Sequence, residues 1–185
     1  MNRIDPNCLT ERHLLVFGTI IQWFAQYELL MQEIMASAAG CDSGSIIVLT
    51  SGLDFGAKRR ALFNLLRHRN IPLDRYDRIN GHLMVPYTLA PIRDYIAHSA
   101  WISGSSSNWI QPDWVRRLPP SVKPFHGDGL IETEQDKVAY SLEDLNETAE
   151  TLASNYKGFS DYLCEVGLIG VCSRSQSAVG AKTER

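Results

Sequence analysis

Three residue types that handle phosphate esters fall within six positions of this chain: Arg93, Asp94 and His98. Imidazoles as a class titrate near neutral pH and so give and take protons, while a guanidinium stays charged and presents planar donors to phosphate oxygens. The stretch Pro91-Ile92-Arg93-Asp94-Tyr95-Ile96-Ala97-His98-Ser99-Ala100-Trp101 reads as the C-terminal half of a helix. At helical pitch Asp94 and His98 stand one turn apart on one face, where the acid can orient the imidazole. Arg93 lies about 140° around the axis from His98, because five steps of roughly 100° overshoot one turn. The two therefore line opposite walls of a groove sooner than one compact site, most naturally a groove closed by a second copy of the same helix. Read alone, the same residues also suit a plain helix end, with His98 complementing the dipole and Asp94 in a salt bridge.

The elements that must position them are set by periodicity and caps. Glu11–Ala39 reads as a long helix with Thr10 as N-cap. Along it Leu14, Phe17, Ile21, Phe24, Glu28, Met31 and Met35 alternate by three and four, the pattern of a bundle seam. Its other faces are apolar too (Val16, Ile20, Tyr27, Leu30, Ile34), as expected of a central helix or one shared with a partner subunit. Glu28 is the charged member of the seam. A buried carboxylate needs a partner, and Arg93 is one candidate, with solvent at the seam edge as the alternative.

After a Gly- and Ser-rich connection, in which Ile46-Ile47-Val48-Leu49 suits either a strand or a helical turn, Asp54 reads as the N-cap of a helix over Phe55–His68 that buries Leu62, Leu65 and Leu66. Seven basic residues (Lys58, Arg59, Arg60, Arg67, Arg69, Arg75, Arg78) face only Asp74 and Asp77 over 58–78. Lys58, Arg59 and Arg60 are the candidate phosphate contacts there, and a solvated face of surface ion pairs is the alternative. A third helix is expected over 74–85, with a kink, then 88–99 with Pro91 in its first turn. The stretch 108–140, with Trp109, Trp114, Pro112, Pro119, Pro120 and Pro124, reads as a loop or short hairpin over the bundle. Its tryptophans are expected to cover the core, and His126 to sit in a turn. Ser141 caps the last helix, whose seam of Leu142, Leu145, Ala149, Leu152, Tyr156, Phe159, Leu163 and Val166 runs to a stop at Gly167.

The fold class expected is therefore all-α: a four- to five-helix up-and-down bundle with a long proline-rich loop or short hairpin before the last helix. One domain is expected over 1–170, with a disordered tail over 171–185. A chain of 185 residues with 44% hydrophobic content supports a real core. The net charge of −3 gives no global attraction to nucleic acid. Cys8, Cys41, Cys164 and Cys172 have no metal-ligand spacing and read as reduced thiols of a cytoplasmic protein. No metal or cofactor is expected. Gly18, Thr19, Gln22, Gln26 and Glu28 interrupt the apolar run from Leu14, so neither a membrane span nor a signal peptide is expected.

The order of parts resembles the HEPN superfamily (higher eukaryotes and prokaryotes nucleotide-binding). Its signature is Arg, a polar residue, then His four to six positions after the Arg; Arg93-Asp94 with His98 matches it, and Tyr27-Glu28-Leu29-Leu30 looks like the aromatic-Glu-aliphatic stretch of the first helix. The likeness covers roughly 14–168, with its specific part at Arg93 to Trp101. It implies a helical homodimer with the motif helix at the interface and a metal-independent endoribonuclease site in the groove. His98 would move the 2′-OH or leaving-group proton, Arg93 would stabilise the phosphorane, Asp94 would orient one of them, and Glu28 would hold Arg93. The products would be 2′,3′-cyclic phosphate and 5′-OH ends, with RNA as partner and DNA spared. A role as a toxin or phage-defence effector, with an antitoxin protein as further partner, goes with that reading. The alternative is a non-catalytic module that binds RNA or nucleotide, or a dimeric interaction scaffold. Some members carry a Tyr two residues after the His that a partner enzyme modifies; here that position is Ala100.

Overall fold

The computed structural model describes residues 8–103, 109–112, 125–126, 129–130 and 139–169. The tail over 171–185 and much of the proline-punctuated stretch, with Trp114, Pro119, Pro120 and Pro124, lie outside the described residues. The chain is mostly helical, as the sequence predicts. Its helices are α1 (Glu11–Ala39), α2 (Ser43–Thr50), α3 (Phe55–His68), α4 (Leu73–His98) and α5 (Leu142–Glu165). Short strands lie between the last two: β1 (Trp101–Ser103), β2 (Trp109–Pro112), β3 (Phe125–His126), β4 (Gly129–Leu130) and β5 (Tyr140–Ser141). An antiparallel sheet of order β1-β2-β5 pairs Ile102 with Gln111 and Ile110 with Tyr140, and β3 with β4 makes a separate hairpin. Thus a hairpin does occur in the stretch before α5, and His126 pairs with Gly129 in it.

Two compact units share the chain: Met1–Tyr27 with Asn80–Tyr156, and Glu28–Ile79 with Lys157–Arg185. The helices α1, α4 and α5 contribute residues to both. In the first unit Ile20, Phe24, Tyr27, Leu83, Ile110, Leu145 and Leu152 are almost fully buried. In the second the buried set includes Met31, Ile34, Leu62, Leu66, Ile79, Phe159 and Leu163.

Local sequence explains most boundaries. Thr10 meets His13 at the start of α1: its backbone N–H donates to His13 Nδ1 (3.1 Å), and the His13 N–H donates to Thr10 Oγ1 (3.4 Å). Burial holds the His13 imidazole below its ordinary pKa, which suits an Nδ1 that accepts the bond. Asp42 and Asp54 cap α2 and α3, accepting from Ser45 N (2.9 Å) and Ala57 N (2.6 Å). Gly167, with φ of +68°, ends the run of α5 in the left-handed conformation that glycine takes at least cost. The ambiguous run 46–49 is helical, within α2.

Two expectations need correction. The seam of α1 is rotated: His13, Phe17, Ile20, Phe24, Tyr27, Met31 and Ile34 are buried, while Leu14 is 56% exposed and Glu28 sits at the edge. Apolar side chains on every face of α1 left two registers open to pattern reading, and tertiary packing chose between them. The expected break near Pro86 is also absent, since α4 is one helix with Pro86 and Pro91 inside it. Proline lacks the N–H that would bond the carbonyl four residues back. For Pro86 that carbonyl is His82 O, and Asn155 of α5 fills it, with Nδ2 donating at 2.8 Å. The same amide donates to Tyr27 Oη at 2.6 Å, Tyr27 donates to Leu152 O at 3.1 Å, and Asn155 Oδ1 lies 3.2 Å from His82 Nδ1. Burial is the largest cause lifting the Tyr27 phenol well above its ordinary pKa, so it stays a neutral donor.

Asn155→Ala removes both donors and leaves His82 O bare, so it should cost about 2–3 kcal/mol in urea unfolding. Pro86→Ala returns an N–H to His82 O. In that background the Asn155→Ala cost should shrink by about 1 kcal/mol. Equal costs in the two backgrounds would contradict this account of α4.

Candidate functional site

The residues just beyond α4 fix where it ends. Ser99 N still donates to Tyr95 O (3.0 Å), and two residues later the chain is in β1. Trp101 anchors the change of direction: it is buried, with ring centroids 4.8 Å from Phe17 and 6.1 Å from Tyr140. Cys8 Sγ donates to Trp101 O at 3.2 Å. Burial, chiefly, lifts the phenols of Tyr95 and Tyr140 above their ordinary pKa; Asp94 adds to the first, and Tyr95 and Asp144 to the second. Both tyrosines remain neutral beside the last turns of α4.

On those turns Arg93 is half-buried, while Asp94 and His98 are exposed. Arg93 Nη1 donates to Asp94 Oδ1 at 2.9 Å, so the carboxylate holds the arginine. Among the described residues no hydrogen bond reaches the His98 ring. Of the two partners the sequence offered Asp94, His98 and Arg93, it is the adjacent Arg93 that it pairs with. Within one chain, the two motif residues keep the angular separation that helical pitch imposes on them.

The partner of Glu28 is Lys58, not Arg93. Lys58 Nζ donates to Glu28 Oε2 at 2.5 Å, with side chains 7% and 22% exposed respectively. The seam carboxylate did need a cation, as its position predicts, and α3 supplies it one turn after Asp54. A buried, paired lysine has no charge to offer a phosphate, so Lys58 leaves the set of candidate RNA contacts. Arg59 lies with its guanidinium 5.2 Å from the Phe63 ring centroid, Arg60 is exposed, and Arg78 covers Tyr162 at 4.6 Å. Arg69 Nη2 donates to Ala39 O at 3.0 Å. Much of the basic run is therefore committed to holding its own unit together.

Among the described residues no group of three or more His, Cys, Asp or Glu is arranged to hold a metal ion. Among the described residues Cys8, Cys41 and Cys164 form no disulfide. By length and composition α1 is apolar enough to cross a bilayer. The tryptophans divide: Trp101 is buried, whereas Trp109, expected to cover the core, is 38% exposed. No pattern in the sequence separated the two, because both begin short strands with similar neighbours. Comparison with known proteins finds no family model, no curated protein and no solved structure that matches this chain.

Glu28→Gln strands the Lys58 ammonium in a buried position and should destabilise the protein by about 3 kcal/mol, read by chemical denaturation. Glu28→Leu together with Lys58→Met removes both charges and should recover most of that loss. A double variant no more stable than Glu28→Gln would refute the pairing as the cause.

Proposed function

We propose that the protein is a metal-independent endoribonuclease of the HEPN type, acting as a homodimer whose two α4 ends face one another across a groove. The observation that carries this reading is the pairing of a half-buried, carboxylate-held Arg93 with an exposed His98 at the anchored end of α4. A helical fold of this order of parts supports it. The angular offset between the two side chains supports a groove that takes Arg93 from one copy and His98 from the other.

In the reaction, His98 takes the proton of a ribose 2′-OH, and O2′ attacks the adjacent phosphorus. The bond from phosphorus to the 5′-oxygen then breaks, and that oxygen leaves with a proton from the second histidine of the dimer or from water. Arg93 donates to the phosphorane oxygens, where its fixed charge is worth most. Asp94 acts as a positioning residue by holding Arg93. Arg60, exposed, and Arg59 are the candidates for backbone contact elsewhere on the RNA. We read α1 as a core helix and the protein as cytoplasmic; a hydrogen-bonded Tyr27 on the buried face of α1 and the unbridged thiols of Cys41 and Cys164 support this. A toxin or defence role with a protein antitoxin fits an enzyme that must be held in check.

Two observations favour a second reading, a non-catalytic RNA-binding or interaction module: Asp94 pairs with Arg93, and Lys58 is withdrawn from the surface. An RNA pool incubated with the full chain in EDTA separates the two. The proposal expects fragments with 2′,3′-cyclic phosphate and 5′-OH ends and no cutting of DNA. It also expects at least about a hundredfold loss in His98→Ala and in Arg93→Ala, each still folded. Cutting that needs metal, or that survives both substitutions, would sink the ribonuclease reading; dimers that bind RNA without turnover would favour the second.

A further inference from the structure

An open groove of about 560 Å³ lies beside the motif helix, within the size range of roughly 300–1,000 Å³ usual for small-ligand sites. Its lining includes Leu89, Trp109, Tyr140, Glu147 and Thr151. Leu89 stands one helical turn before Arg93 on the same face of α4, so the groove opens along α4 on the arginine side of the motif. Trp109, the first residue of β2, is 38% exposed with no aromatic partner among the described residues. A solvent-facing indole in a groove is a stacking platform.

The charges decide what can lie on it. Asp144 lines the groove but is engaged, accepting from Ser141 N (2.8 Å) and Ser141 Oγ (2.7 Å) in the capping box that Ser141 opens at the start of α5. Glu147 is exposed and has no partner among the described residues. Acidic neighbours Glu143 and Glu150 repel phosphate, so the sugar–phosphate backbone must stay outside, towards Arg93. A free cationic side chain would suit Glu147 but meets Arg93 one turn along α4. A neutral base with hydrogen-bond donors on its edge meets neither objection.

Resting on the ribonuclease reading, we propose that this groove is a base subsite that selects guanine, with Trp109 stacking on the ring and the Glu147 carboxylate accepting from N1–H and the N2 amino group. Guanine alone presents two adjacent donors to a bidentate acceptor. Adenine and cytosine set a ring-nitrogen acceptor beside their amino group, and uracil flanks one donor with two carbonyls. Each of these turns a lone pair towards the carboxylate, so selection works by rejection as well as attraction. The neutral Tyr140 phenol and the Thr151 hydroxyl, both in the lining, offer donors for the remaining acceptors. Cleavage would then fall next to a guanosine.

The test is calorimetric binding of the four nucleoside 3′-monophosphates to the full-length protein, beside Glu147→Gln and Trp109→Leu. Guanosine monophosphate should bind at least about tenfold tighter than the others. Glu147→Gln, at an exposed position that does not threaten folding, should erase that preference. Trp109→Leu should weaken binding by about tenfold through lost stacking. Equal binding of all four nucleotides, or a guanine preference that survives Glu147→Gln, would overturn the proposal. So would binding of an arginine-rich peptide, lost in both variants, with no binding of guanosine monophosphate. Guanine binding without RNA cleavage would uphold the subsite while removing the ribonuclease reading; RNA cleavage by the wild type with no base preference would do the reverse.

Discussion

Asn155 carries the constraint on which the motif's position depends. Two prolines in α4 ought to divide it, and a helix divided at Pro86 would aim Arg93 and His98 in a direction unrelated to the first half. The division does not happen because the carbonyl that Pro86 leaves without a donor, His82 O, receives one from Asn155 at 2.8 Å. The second amide hydrogen goes to Tyr27 at 2.6 Å, so one side chain of α5 ties α4 to the buried face of α1. A half-buried amide with both hydrogens and its oxygen engaged is specific, since displacement leaves polar groups unpaired.

From there the chemistry-bearing turn inherits its direction. Trp101, packed on Phe17 and beside Tyr140, holds the point where α4 gives way to β1. Between these two anchors run residues 86–101, on which the side chains of Asp94 and His98 stay exposed. Rigid backbone under accessible polar side chains is what a preorganised site requires. The same stretch leaves Arg93 and His98 about 140° apart around one helix, so they do not share a face of it. The proposed site therefore takes one of them from each of two copies.

Much of this was legible in the sequence, for identifiable reasons. Regular spacing and strong caps gave α1, α3 and α5 away, as with Asp54 and Gly167, because local chemistry and tertiary packing agree there. The fate of Pro86 was not legible, because the donor that rescues its helix lies 69 positions further along the chain, in α5. Nor was the register of α1, where apolar residues on all sides offered two seams. For the candidate site, the types and spacing of Arg93, Asp94 and His98 were visible at once. Glu28 announced that it needed a cation but not which one, and Lys58 answered from α3. Trp109 looked like a core residue by composition, and only its exposure suggests another use.

A groove shared between two copies, each supplying what the other lacks, is the central claim. Full-length Arg93→Ala and His98→Ala proteins, each inactive on RNA alone, would be mixed, exchanged through mild denaturant and assayed in EDTA, with mixed dimers verified by mass. Mixed dimers keep one Arg93 and one His98 on opposite copies, so they should cleave RNA well above the level of either parent. Verified mixed dimers that remain as inactive as their parents, beside a wild type that cuts, would contradict it.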